Sequence, residues 1–107
     1  MDEAPRHPPV VEIERQLLAA LCSPALDPAT RAGILAGLRA HKFADPDYDM
    51  IFRALKNIPS AAIEHIRETL GARLTRLGFP DIDVHPILEM ELPSPEKISL
   101  LLQQLGR

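Results

Sequence analysis

The chain has 107 residues, a formal net charge of −3 and a hydrophobic fraction of 46 %, which suits one domain with a single core. Its one cysteine excludes an intramolecular disulfide framework and is typical of a reducing cytosol. The acidic balance argues against a general nucleic-acid binder, and no apolar run approaches the roughly 20 residues that a membrane span needs. The first residues, MDEAPRHPPVVE, do not resemble a secretory leader, so we expect a soluble cytoplasmic protein without a membrane partner.

Charge is distributed unevenly along the chain. Residues 31–76 contain eight Lys or Arg against five acids, whereas the segments on either side each contain five acids against two bases. This pattern fits either a mildly basic face between acidic ends or an ordinary mixed surface.

The first helix is predicted over residues 11–22, after a flexible tail at 1–10 that contains three of the eleven prolines. The remaining residues, 11–107, are predicted to form a single helical domain. The apolar side chains of this first helix recur at helical spacing: Ile13, Leu17, Leu18 and Leu21.

A second helix is predicted from an N-cap at Asp27, with Pro28 in the first position, to about His41. Gly33 and Gly37 lie inside it and lower its helix propensity. Their spacing of four residues would also allow a neighbouring helix to pack closely.

The third helix follows the segment HKFADPDYDMIFRALKNI at residues 41–58. Asp45 is a good N-cap and Pro46 suits the first helical position, so the helix is predicted over residues 46–57. Its apolar stripe is predicted to be buried: Tyr48, Ile51, Phe52 and Leu55.

A fourth and longest helix is predicted over residues 61–77, capped by Ser60 and closed by Gly78 at C′. Residues 79–93 are predicted to be a surface loop with one helical turn at 86–91. A last helix is predicted to start at Ser94-Pro95 and to stop at Gly106. Because no segment alternates as a strand would, we predict an all-α fold: a compact bundle of five to six short helices without a sheet.

Residues with metal-binding or catalytic chemistry are scattered. Asp81, Asp83 and His85 could supply hard ligands to a metal, but they lack a fourth ligand and fit a solvated loop better. Cys22 ends the first helix, where the helix dipole raises a thiol pKa, so we expect a small core or boundary residue there and not an activated nucleophile.

Other catalytic patterns are weak or missing. Glu64, His65 and Glu68 have the spacing of an acid–base pair, but equally that of an exposed polar face. The P-loop, dinucleotide-binding, zinc-protease and nucleophile-elbow motifs do not occur in the sequence. We therefore predict no enzyme activity, no cofactor, and no catalytic, cofactor-binding or metal-binding residues.

Three segments in order resemble one known type of domain. They are ERQLLAAL at 14–21, HKF at 41–43 and FADPDYDMIFRAL at 43–55, and a long helix and a glycine follow them. Over about residues 12–78 this order resembles the N-terminal domain of DnaB-type replicative helicases. It is also similar to the C-terminal helicase-binding domain of DnaG-type primases, which shares that helical fold. The matching residues are Glu14, Leu17, Leu18, Phe43, Tyr48, Ile51, Phe52 and Leu55.

The chain departs from those families in two ways. The helicase family continues into further helices with a glycine pair, whereas residues 79–95 here are acidic and broken by prolines. The linker and motor domain of a helicase do not follow, so the resemblance implies a stand-alone or detached module.

The resemblance implies a non-catalytic protein–protein interaction domain associated with DNA replication. The families' domains self-associate and hold helicase and primase together, so the expected partner is a replicative helicase, a primase or a second copy of the chain. The residues expected to make the interaction are Arg39, Lys42, Tyr48, Arg53 and Lys56.

Two alternatives stay open. A small helical DNA-binding or regulatory protein would use the helix–turn–helix shape of residues 28–57. Asp45, Asp47 and Asp49 would then meet phosphates unfavourably, which argues against direct nucleic-acid binding. The bases available to it are Arg31, Arg39, Lys42, Arg53 and Lys56. A small enzyme or metal protein built on residues 81–91 is the third reading.

Overall fold

The computed structural model describes residues 9–105, and every regular element in that range is helical. In chain order the elements are α1 (Val10–Leu21), α2 (Pro28–Arg39), α3 (Pro46–Leu55), a 3₁₀ helix (Ser60–His65), α4 (Ile66–Arg76), α5 (His85–Leu88) and α6 (Pro95–Leu105). The prediction of an all-α bundle is confirmed for these residues. No helix in the described range is long and apolar enough to cross a membrane.

Helix α1 is the centre of the bundle and packs against α2, α3, α5 and α6. The prediction of a single apolar stripe on it was too narrow, because α1 is buried around most of its circumference. Ala19 and Ala20 are as buried as the leucines, and their small side chains leave room for neighbouring helices. Two polar residues, Glu14 and Gln16, are buried with them.

The predicted starts of α2 and α3 are confirmed. The Asp27 carboxylate accepts a hydrogen bond of 2.9 Å from the Thr30 N–H, and Asp45 accepts one of 2.8 Å from the Asp47 N–H. These bonds satisfy amides that have no partner in the first turn of a helix. Both helices end two residues earlier than predicted, at Arg39 and Leu55.

The fourth predicted helix is divided in the structure, so the prediction of one helix over 61–77 was wrong. Residues 60–65 form a 3₁₀ helix, with Ser60 its first residue, and α4 begins only at Ile66. His65, with φ −109° and ψ 18°, interrupts the α-helical backbone between them. Ile63 and Ile66 are three residues apart, a spacing that fits a 3₁₀ helix as well as an α-helix, so periodicity could not separate the two.

The end of α4 follows the predicted glycine stop. Gly78 has φ +96°, its N–H bonds to the Thr75 carbonyl, and the Phe79 N–H bonds to the Leu74 carbonyl at 2.9 Å. This is the Schellman arrangement that a glycine at C′ permits. Leu77 continues the helical spacing of the buried Leu70 and Leu74 but is itself 47 % exposed.

In the last third of the chain, α5 and α6 pack against α1. The helical turn predicted at 86–91 is present as α5 over residues 85–88, and Ile87 on it is buried. In α6 the Ser94 hydroxyl accepts a hydrogen bond from the Lys97 N–H, and Ile98 and Leu101 are buried. Most of the predicted tail and the stop at Gly106 lie outside the described residues, although Val10 already belongs to α1.

The two glycines of α2 differ in their surroundings. A Cβ added at Gly37 would lie 2.9 Å from Leu102 Cδ2 of α6, so the predicted close approach of a neighbouring helix is confirmed there. A Cβ added at Gly33 would meet nothing within 4 Å, so close packing is not its role.

We expect Gly33→Ala to raise the free energy of unfolding by up to about 1 kcal/mol, because alanine restricts the unfolded chain and favours helix. Gly37→Ala should gain less, since the added methyl group has to displace the end of Leu102. Urea unfolding followed by circular dichroism checks the order. A Gly37→Ala variant at least as stable as Gly33→Ala would contradict the packing argument.

Candidate functional site: an arginine groove between α3 and α4

Three of the residues that carry the family resemblance, Glu14, Phe43 and Phe52, lie in or beside an interior corner between α1 and the α2–α3 turn. The Glu14 carboxylate of α1 is fully buried and receives three partners from the α2–α3 turn. His41 Nε2 lies 2.6 Å from Oε2, the Ala44 N–H donates to Oε2 at 2.7 Å, and the Asp45 N–H donates to Oε1 at 3.3 Å. Because both oxygens are occupied, Glu14 is a structural residue that holds the turn against α1.

An aromatic row extends from this corner. The Phe43 ring lies 5.1 Å from the His41 ring, edge to face, and 5.5 Å from the Phe52 ring. Phe52 is buried and Phe43 is partly buried against the core. The segment is therefore a packing unit that joins the α2–α3 turn to α1 and α3.

The five predicted interaction residues do not lie together. Tyr48 is half-buried against the core, and this burial raises its pKa above the usual range. Lys42 lines a separate recess between α2 and α6. Arg39 is exposed at the end of α2, Lys56 caps the end of α3, and Arg53 faces a groove between α3 and α4.

This arginine groove is formed where α3 and α4 both end. It encloses about 210 Å³ and is lined by Arg53, Ala54, Asn57, Arg73, Arg76 and Leu77. Arg53 and Asn57 are four residues apart on α3, and Arg73 and Arg76 are three apart on α4, so each pair lies on one helix face. Ala54 is buried between them and leaves the space open.

The groove has a surplus of positive charge. Two helix C-termini each contribute a partial charge of roughly −0.5 elementary charge, and the positive charges of three guanidinium groups more than offset them. Among residues 9–105 the carboxylate recorded within ion-pair distance of these arginines is Asp49, 3.6 Å from Arg53 Nε, in an exposed pair of little energetic weight. About one positive charge is left after these terms, so the groove attracts anions.

Arg73 is incompletely satisfied. Its Nε atom is shielded from solvent and has no hydrogen-bond partner among the described residues. A buried donor without a partner costs about 1–3 kcal/mol. A small movement of this side chain toward an acceptor would recover that free energy.

The other candidates for chemistry remain separate and exposed. His85 Nδ1 lies 3.1 Å from Asp83 Oδ1, and the pKa of Asp83 is lowered first by the hydrogen bond from the His85 backbone N–H and then by its side chain. His65 and Glu68 form an exposed pair at 3.4 Å. Within residues 9–105 no three His, Cys, Asp or Glu side chains gather as metal ligands would.

Cys22 is a core residue, as predicted, and burial raises its thiol pKa to about 12. The dominant cause is desolvation, which the nearby Arg67 and Arg31 only partly offset. At pH 8 a pKa near 12 leaves roughly one thiol in ten thousand ionised, and the thiolate is the reactive form.

We therefore expect Cys22 of the folded chain to react with a disulfide reagent such as DTNB very slowly at pH 8, and rapidly in 8 M urea. Absorbance of the released thiolate measures both rates. A native rate equal to that in urea would contradict the burial argument.

Arg73 and Arg76 were not among the interaction residues predicted from the sequence. Their spacing was a usable signal, since residues three apart on a helix lie on one face. Their pairing with Arg53 depends on how α3 lies against α4, which spacing alone does not give. Arg31, proposed above for DNA contact, donates instead to the Leu21 and Ser23 carbonyls at 2.7 Å each and closes the end of α1.

A scan against protein-family models found no match to the chain, and searches of curated proteins and of solved structures found none either. The likeness to helicase and primase domains therefore rests on the sequence segments named above and stays a prediction.

Proposed function

We propose that this chain is a non-catalytic helical protein–protein interaction domain associated with DNA replication in the cytoplasm, with a replicative helicase, a primase or a second copy of itself as partner. The observation that carries the proposal is the interior corner around Glu14. Glu14 holds the turn that carries Phe43, and the Phe43 ring lies against the Phe52 ring, so three of the residues that match those domains belong to one packing unit.

The surface adds a second line of support. Leu77, which lines the arginine groove, is 47 % exposed, and Phe79, just after the end of α4, is 41 % exposed. Exposed apolar side chains next to concentrated charge are typical of surfaces that bind other proteins.

The test is capture of purified replicative helicase and primase from the same genome by the immobilised chain, with size-exclusion chromatography and light scattering of the chain alone. We expect retention of one of them, or a dimer or larger species. A strict monomer that retains neither protein would overturn the proposal.

DNA binding is the second candidate, and the three arginines of the groove favour it. Exposed Asp47 and the partly exposed Asp49 lie at the start of α3 and would repel phosphates there. A direct test is a fluorescence-anisotropy titration of labelled duplex DNA at 20 mM salt. Affinity that falls steeply as salt rises would support this candidate, and no affinity even at 20 mM salt would remove it.

A further inference from the structure

We infer that the arginine groove binds an acidic peptide segment of a protein partner, with Asp or Glu carboxylates on Arg73 and Arg76 and an apolar side chain of the peptide against Leu77. This inference rests on the proposed function, since it names the kind of segment that the interaction domain would hold.

The groove concentrates positive charge. Arg53, Arg73 and Arg76 line one recess, and the single carboxylate recorded beside them in residues 9–105 belongs to an exposed pair with Arg53. Arg76, on the last turn of α4, is exposed to solvent, where a ligand can reach it. Guanidinium groups bind carboxylates through two parallel hydrogen bonds, which gives both strength and orientation.

The groove also contains a hydrogen-bond donor that is not satisfied. Arg73 Nε has no hydrogen-bond partner in the described part of the chain and is shielded from water. A carboxylate that enters the groove offers an acceptor to the Nε–H after a small rotation of the side chain. Binding would then relieve a cost that the free protein bears.

The size and lining of the groove favour a peptide over a nucleic acid. The groove is a small recess of about 210 Å³, which suits individual side chains more than a continuous backbone of phosphates. The half-exposed Leu77 that lines it matches a segment that mixes acidic and apolar residues. Asp47 and Asp49, at the start of α3, would oppose a polyanion that ran along that helix.

The experiment uses the full chain and three fluorescein-labelled probes. The first is a 12-residue peptide of Asp, Glu and Leu, the second has the same sequence with Lys in place of the acids, and the third is a 12-nucleotide single-stranded DNA. Anisotropy at 50 mM salt gives the affinities, and the ¹⁵N signal of Arg73 Nε reports contact in the groove. We expect the acidic peptide to bind, the Lys peptide and the DNA to bind at least tenfold more weakly, and the Arg73 signal to shift.

Variants locate the binding. Arg76→Glu should weaken the acidic peptide at least tenfold, whereas Lys97→Glu, which makes the same charge change at an exposed position of α6, should change the affinity less than twofold. Circular dichroism is used to check that both variants are folded. The inference is overturned by absent peptide binding, by equal effects of the two variants, or by DNA that binds the groove more tightly than the peptide.

Failure of the inference and failure of the proposed function can be told apart by repeating the helicase and primase capture with Arg76→Glu. Capture that survives in this variant refutes the groove as the docking site and leaves the proposed function standing. If the native chain captures neither protein and forms no oligomer, the proposed function fails, whatever the peptide titration gives.

Discussion

Replacing Glu14 with alanine is expected to destabilise the chain by about 3–5 kcal/mol, because each shielded donor that loses its acceptor costs about 1–3 kcal/mol. The substitution leaves the Ala44 and Asp45 amides and the His41 ring without their acceptor, and it opens a cavity beside α1. Domains of this size have only about 5–15 kcal/mol of stability, so the variant would be near its unfolding threshold at 37 °C. The free energy of unfolding in urea measures the effect.

Amide hydrogen exchange gives a local readout for the same variant. The Ala44 and Asp45 N–H groups should exchange much faster in Glu14→Ala, because their protection comes from the carboxylate. Glu91→Ala is the matched control, since Glu91 is exposed between α5 and α6, and a change within about 0.5 kcal/mol is expected there. Equal losses in the two variants would contradict the structural role of Glu14.

Phe52→Ala is expected to cost about 3–5 kcal/mol, which is typical for truncation of a buried aromatic ring. Phe52 is 5 % exposed, and its ring lies 5.5 Å from the Phe43 ring in the aromatic row. Removing the ring leaves a cavity and takes the support from Phe43. Thermal and urea unfolding measure the loss.

The same substitution at Phe79 serves as the control, because that ring is 41 % exposed at the end of α4. We expect Phe79→Ala to cost less than about 1 kcal/mol. If the two phenylalanine variants lost similar stability, the aromatic row would not be the packing unit described above.

Much of the local structure could be predicted from the sequence. Asp27-Pro28 and Asp45-Pro46 start helices because an N-cap carboxylate and a proline suit a helix start wherever it lies in the fold. Gly78 ends α4 because glycine, which has no Cβ, adopts a positive φ at little cost. Such signals act over a few residues, which is why they can be read without knowing the neighbours.

The break at His65 and the exposure of Leu77 could not be predicted in this way. The apolar side chains recur three or four residues apart, but whether each is buried depends on which helix lies opposite: Ile63, Ile66, Leu70, Leu74 and Leu77. Helix α3 packs along α4 and ends near Asn57, so Leu77, at the far end of α4, borders the arginine groove and is left half-exposed.

The sequence by itself determined an all-α chain, the starts of two helices, a glycine stop and a resemblance centred on residues 41–58. Tertiary structure decided what those residues do. The Glu14 carboxylate contacts the His41 ring, which lies 27 positions away in the sequence. Arg53 and Arg73 line one groove only because α3 and α4 end side by side. Helix propensity and capping depend on neighbours along the chain, whereas a buried carboxylate or a charged groove depends on residues that only folding brings together.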